Sequence, residues 1–228
     1  MALTLTQLVQ LLNDATAADR QLGMFPFYIN HAVQELCNRR SWVGMKNQVT
    51  FTIPSGNGSA NLPSNFKEPQ SGLNALQAQS QSTPTGFDLW FLYSKQELER
   101  LAIIGVDAPS NKAYIDWNPT SNCWTVTTLG QVGSDTNFSL DCYTYFPDLV
   151  NPTDTNYMTT FYPFLVLEQA KVYAFRHAAI DNVTGQLVPG KTEFANQCQA
   201  EVERLFAIAS ADDAYKNIRG RRFRMGGF

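Results

Sequence analysis

His31 and His177 are the only two imidazoles in the 228 residues, so proton transfer through histidine near neutral pH must use one of them. His177 and Asp181 stand four apart, a spacing that brings side chains together on a helix, and a thiol such as Cys142 would complete a triad-like group. An i, i+4 surface pair near a helix end accounts for the same spacing without a third member. His31, beside Asn30, reads as a packed or interfacial histidine. Asp116, Asp135 and Asp141 fall on different strand faces and turns, so they argue for no metal pair. Gly56-Asn57-Gly58 has no helix after it to present phosphate-binding amides and reads as a hairpin tip. GxGxxG, HExxH and GxSxG do not occur; the string GxxxxGK[ST] occurs once, from Gly185 to Thr192, but in the turn expected between two helices and not after a strand, as a phosphate-binding loop requires. Cys37, Cys123, Cys142 and Cys198 are scattered without a C-x-x-C, which favours free buried thiols over bridges or a zinc site. The residues therefore point away from an enzyme and toward a chain with no catalytic residues, no cofactor and no metal.

The elements that would hold any site come next. A chain of 228 residues can bury roughly 70% of its unfolded surface, enough for one large or two small domains. Its 44% hydrophobic and 12% aromatic content excludes a disordered chain, and no run approaches the roughly 20 apolar residues of a membrane span. The opening MALTLTQLV lacks the basic and apolar regions of a signal peptide, so folding in a cytoplasm is expected.

The organising stretch is Met24 to Pro69. Phe25, Ile29, Val33, Leu36 and Cys37 share one helical face, with Asn30, Gln34, Glu35, Asn38 and Arg39 opposite, which predicts a helix over about 26–40. Pro26 suits its first turn and Arg39 and Arg40 suit its carbonyl end. The period then switches to two, with Val49, Phe51 and Ile53 alternating with threonines, and Pro54 to Gly58 supplies turn chemistry for a hairpin returning through Ser59 to Leu62.

Before it, Thr4-x-x-Gln7 is a capping box opening a helix whose inner face is Leu5, Leu8, Val9 and Leu12. After it, residues 70–86 read as a Gln/Ser/Gly-rich loop anchored by Leu73 and Leu76. Phe87 to Tyr93 reads as a strand, and Ser94-x-x-Glu97 as a capping box for a short helix ending near Gly105. Strands follow over 112–118, 122–129 and 136–146, joined by hairpin-like turns. Pro147 to Asn156 reads as a linker. Two long helices are then expected, over 159–181 with a stripe of Phe164, Leu167, Ala170, Ala174 and Ala178, and over about 191–210 with Phe194, Cys198, Val202, Leu205 and Ala209 inward. Asp212-Asp213 reads as a solvated helix end.

The fold class predicted is α+β. Helices from both ends of the chain form an antiparallel bundle (1–46 and 150–210), a small antiparallel β-sheet or barrel is inserted (47–149), and an extended basic arm follows (211–228). The net charge of −3 conceals an asymmetry: the last 13 residues hold five cations and no acid, leaving 12 cations against 20 acids, or −8, on residues 1–215. Those 18 residues from Ala211 would reach about 60 Å if extended. Lys216, Arg219, Arg221, Arg222 and Arg224 could contact nucleic acid, could form a solubilising end, or could be an arm that orders on a protein. Phe223, Met225 and Phe228 add apolar anchors that DNA-binding tails do not require, which favours an acidic protein surface.

Order and spacing along the chain carry a resemblance: Ile29-Asn30-x-Ala32-Val33, Trp42, Asn61-Leu62-Pro63-Ser64-Asn65-Phe66, Tyr145-Phe146-Pro147-Asp148-Leu149 and Phe161-Tyr162-Pro163. In these, from about Leu3 to Ala209, the sequence resembles the head-to-tail adaptor (connector) proteins of tailed bacteriophages, the group that includes the tail tubular protein A of short-tailed phages. The resemblance implies a virion structural protein at the head-tail interface, assembled in the host cytoplasm. It implies a homo-oligomeric, twelve-fold ring under the portal protein that extends the DNA channel and offers a platform to tail and nozzle proteins. DNA would pass without specific binding, no membrane would be involved, and the portal-binding arm would be Lys216, Arg219, Arg221, Arg222, Phe223, Arg224 and Phe228. Two other readings stand beside it. One is a β-domain binding module of a virion, for carbohydrate or another ligand, using Trp90, Trp117 and Trp124. The other is a basic-tailed nucleic-acid-binding protein, whose affinity would fall steeply with salt.

Overall fold

The computed structural model describes residues 2–16, 23–70, 77–80, 89–92, 95–104, 112–179, 188 and 190–224, with the side chains of 77–80, 90 and 219–224 excepted. The chain divides into two compact units, Met1–Met45 with Phe146–Phe228, and Lys46–Tyr145.

The first unit is helical. The Thr4 capping box forms: the Thr4 amide donates to Gln7 Oε1 at 3.0 Å and the Gln7 amide to Thr4 Oγ1 at 3.4 Å. It opens α1 (Leu5–Thr16), which buries Leu5, Leu8, Leu12 and Thr16. The amides of Leu5 and Thr6 find the carbonyls of Asp154 and Pro152, both at 3.1 Å, so residues expected as a linker cap α1 instead. α2 (Phe25–Arg39) has Pro26 in its first turn and buries Phe25, Tyr28, Ile29, Ala32, Val33, Leu36 and Cys37. Just past its end Trp42 is fully buried, and its indole donates to the Leu36 carbonyl at 3.0 Å, one of the last four that a helix leaves unpaired.

The helix expected over 159–181 is two. Asn156 caps α4 (Tyr157–Phe161) in a reciprocal box with Thr159, and α5 (Pro163–Ala178) starts afresh. Pro163 has no amide to continue α4 and pushes the residue before it out of helical geometry; Tyr162 sits at φ −131°, ψ 45°. α5 packs against α1, α2 and the final helix. A helix touched on several sides buries more than one stripe: Leu165, Val166, Gln169 and Val172 are buried along with Leu167, Ala170 and Ala174, while Phe164, expected inward, is 65% exposed.

The final helix, α6, runs Lys191–Arg224. Residues 211–224, expected as an extended arm, are therefore its last turns; 225–228 lie outside the described residues. Inward it buries Ala195, Val202, Ala209 and Asp213, whereas Phe194, expected inward, is half exposed and stacks on Phe175 at 5.7 Å. Arg39 of α2 binds Glu203 of α6 with both guanidinium nitrogens and lies 4.1 Å over the Phe206 ring.

The second unit is mainly β: β1 (Lys46–Ile53), β2 (Ser59–Asn61), β3 (Phe66–Pro69), β4 (Gln77–Ser80), β5 (Leu89–Phe91), α3 (Lys95–Ile104), β6 (Lys112–Asn118), β7 (Cys123–Thr128) and β8 (Thr136–Thr144). Strand order is β1-β8-β4-β5-β6-β7-β2, with β3 also on β8. Among the described strands this order does not close, so the open-sheet alternative holds and the barrel does not.

Four expectations change here. β2 does not return on β1; it pairs with β7 (Ala60↔Val126), while β1 pairs with β8 from Lys46↔Tyr143 to Ile53↔Thr136. Gly58 decides this. Its carbonyl accepts from the Thr128 amide at 2.7 Å and from Thr128 Oγ1 at 3.0 Å, and a Cβ there would stand 2.8 Å from the Gly130 carbonyl oxygen, so only glycine allows the turn to lie against residues 128–130. β7 and β8 likewise form no hairpin, though β6 and β7 do (Trp117↔Trp124). The loop over 70–86 contains β4, whose Gln-Ala-Gln-Ser carries no hydrophobic period but pairs with β8 and β5. Finally the sheet is not wholly antiparallel. α3 acts as a crossover between β5 and β6, which pair in parallel as a crossover connection requires. The Ser94 of the expected α3 cap lies outside the described residues. The core collects Val49, Phe51, Ile53, Phe66, Phe138 and Leu140 among others, and Phe51 stacks on its register partner Phe138 at 5.4 Å.

Candidate interaction surface

A carboxylate in the middle of α6 organises the helical unit. Asp213 falls on the inward phase after Ala195, Val202 and Ala209 and is 1% exposed, so the expected solvated helix end is a buried anchor. Asp213 Oδ1 accepts from the Tyr157 hydroxyl at 2.8 Å and the Val43 amide at 3.0 Å, and Arg40 Nη2 lies 3.5 Å from Oδ2. Three segments, the end of α2, the 3-10 turn Val43–Met45 and α4, thereby converge on one side chain. Gly44 completes the fit: a Cβ there would fall 2.2 Å from Cγ of Tyr157, so the ring rests directly on the backbone. The sequence signal was the heptad phase of the aspartate.

Asp212 looks outward. It accepts from the Tyr162 hydroxyl at 3.0 Å and from Lys216 Nζ at 2.7 Å. The Lys216 ammonium holds the Asp212 carboxyl below its usual range, with help from Tyr162. Burial, then Asp213, pushes the Tyr157 hydroxyl well above the ordinary tyrosine value. Burial, then Tyr157 and Asp212, raises that of Tyr162. Lys216 also sits 4.2 Å over the Phe161 ring. Lys216, expected in a free arm, is thus engaged with its own chain.

Beside this cluster, Phe161, Phe164, Leu205, Ile208 and Ala209 line a groove of about 270 Å³. Phe161, Phe164 and Ile208 are 52%, 65% and 55% exposed. Apolar side chains grouped this way mark surfaces that bury a partner. Tyr162 and Asp212 complete the lining on its polar side.

Among the described residues, the candidate catalytic side chains form no triad. His177 is exposed, its ring 6.0 Å from that of Tyr28, and Asp181 lies outside the described residues. Cys142 is buried in the β core, where loss of hydration pushes its thiol up to about 11, the wrong direction for a nucleophile. His31 is exposed, stacked on Phe27 at 5.8 Å and 4.6 Å from the Tyr173 ring. Asp135 accepts from the Ser55 amide and Asp141 from Gln48, and no cluster suited to a metal occurs among the described residues. Trp117 is 43% exposed but meets Trp124 edge to face at 77°, which presents no flat double platform to a sugar; the Trp90 side chain is outside the described set. The backbones of Arg219, Arg221, Arg222, Phe223 and Arg224 belong to α6, their side chains and Phe228 lying outside the described residues. No helix among the described residues is long and apolar enough to cross a membrane.

Comparison with protein families finds that the family model described as SU10 adaptor protein matches residues 2–224. No curated protein matches the chain in a sequence comparison.

Proposed function

The chain belongs to the SU10 adaptor protein family, phage head-tail adaptors, and from that premise we propose that it forms a ring under the portal, extending the DNA channel and carrying the tail. The observation that carries this reading is the extent of the family match, which takes in both the helical and the β unit. The finer assignments follow the resemblance to tail tubular protein A-type connectors: twelve copies, assembly in the host cytoplasm, and a β unit facing the tail or neighbouring copies. A heterologous contact closes into a ring only when its rotation fits, so a portal template favours the circle. The excess of −8 on residues 1–215 suits a wall along which DNA slides, since few phosphate contacts mean weak retention.

Portal anchoring is assigned to the cationic end of α6, Arg219, Arg221, Arg222 and Arg224 with Phe223 and Phe228. Lys216 is better kept with Asp212. Ending the chain after Ile218 spares that pair. In a pull-down on purified portal rings, the truncated chain is expected to lose binding while its circular dichroism stays native. Binding equal to that of the full chain would remove the arm from the account.

A further inference from the structure

The groove at the junction of α4 and α5 is apolar except for what Tyr162 and Asp212 bring to it. Phe161 and Phe164 line it from that junction, and Leu205, Ile208, Ala209 and Asp212 from α6. The two oxygens of Asp212 are not used alike. The Tyr162 hydroxyl donates to Oδ2 at 3.0 Å and Lys216 Nζ lies 2.7 Å from the same atom. Among the described residues no donor reaches Oδ1, and the side chain is 48% exposed. With the Tyr162 hydroxyl already donating, the lining side chains hold one free acceptor and no free donor.

Whatever covers the apolar walls must also satisfy that oxygen. A leucine or phenylalanine would strip water from Oδ1 and return nothing, leaving a charged acceptor desolvated. An anion is repelled by the carboxylate. A cation meets the Lys216 ammonium, which already neutralises Asp212. A neutral donor satisfies the oxygen without either conflict. Tyrosine would bring lone pairs for which the lining has no donor, whereas indole donates and cannot accept. The volume of about 270 Å³ suits one large side chain, below the range of about 300 Å³ and more typical of substrate and cofactor sites. Phe161 and Phe164 supply the ring contacts that aromatic groups favour, and tryptophan is prominent among residues that anchor interfaces from within pockets. We propose that the groove is an anchor pocket for a tryptophan side chain of another protein, its ring against Phe161, Phe164 and Ile208 and its N–H donating to Asp212 Oδ1. The inference rests on the adaptor reading only for the source of that tryptophan, a neighbouring protein of the particle.

Indole and 1-methylindole, the second lacking the N–H, test the pocket in the full chain by nuclear magnetic resonance, with the methyl groups of Leu205 and Ile208 as reporters. Indole is expected to shift them saturably with a Kd on the order of 1 mM, an affinity within reach of a fragment of its size. 1-Methylindole is expected to bind about tenfold more weakly, the loss of one hydrogen bond to a charged group. Asp212→Ala, at an exposed position, removes the acceptor, and the two probes are then expected to bind alike. The comparison of probes on the wild-type chain decides by itself if the variant loses its native circular dichroism. No saturable shift with indole, equal binding of the two probes to the wild type, or a preference that persists in a native Asp212→Ala would each overturn the proposal. Reporter shifts that grow with chain concentration and vanish in Trp117→Phe would make the occupant a second copy and overturn the assignment to another protein. Portal binding is read separately. Indole binding without portal binding sinks the adaptor reading and leaves the pocket standing, and portal binding without indole binding does the reverse.

Discussion

At the scale of single residues, stability of the helical unit turns on Asp213. A carboxylate 1% exposed, accepting from a tyrosine, a backbone amide and an arginine, leaves three donors unmatched when it is removed. Asp213→Ala is expected to cost about 3 kcal/mol in denaturant unfolding, since buried donors keep their desolvation penalty and lose the compensating acceptor. A loss below about 1 kcal/mol would mean that water replaces the carboxylate. The neighbouring tyrosines give a pH signature. Both hydroxyls have folded-state values raised above the unfolded value, so their contribution is complete below about pH 10 and disappears as pH rises beyond it. In an ultraviolet titration Tyr157 and Tyr162 should ionise above the ordinary tyrosine range, and the helical unit should lose stability as they do. Replacing both with phenylalanine should remove that late absorbance step.

At the scale of elements, α6 is where local pattern and fold part company. Its inward heptads are readable, yet a stop near Ser210 was expected because Ala211-Asp212-Asp213 looks like a polar end. Tertiary partners override that impression: Asp213 is inward and Asp212 is paired with Lys216, so the helix continues. Ala211→Pro tests this, because a proline inside a helix costs about 3 kcal/mol and none in an extended arm. Lower helicity and a lower denaturation midpoint are expected. Elsewhere, α1, α2, the β6–β7 hairpin and the inward alternation of β8 were legible from period and turn residues alone. β4 was not, because a strand held by backbone pairing to β8 and β5 needs no hydrophobic alternation of its own. The parallel pairing of β5 with β6 follows from α3 lying between them, a consequence that strand-by-strand reading passes over.

At the scale of the whole molecule, two units with separate cores are joined where the chain passes between them at Met45 and at Phe146. Such units open separately when each buries its own apolar surface. Peptide-resolved hydrogen exchange in mild denaturant should show 46–53 and 136–144 exchanging together, since β1 and β8 are one ladder, at a midpoint different from that of 163–178. One shared midpoint would mean that the units unfold as one.

The sequence by itself determined the periods of most elements, the turn glycines, the lack of GxGxxG, HExxH and GxSxG strings, the excess of cations at the end, and, through the order of its short motifs, the resemblance to phage adaptors. Those properties are local or compositional, and neighbouring residues suffice to express them. Only the tertiary structure decided which strands pair, that Asp213 is buried and Phe164 is not, and that Lys216 is held by Asp212 and the rings of α4. Each of these depends on groups distant in the chain meeting in space, and a buried carboxylate and a solvated one are spelled with the same residue.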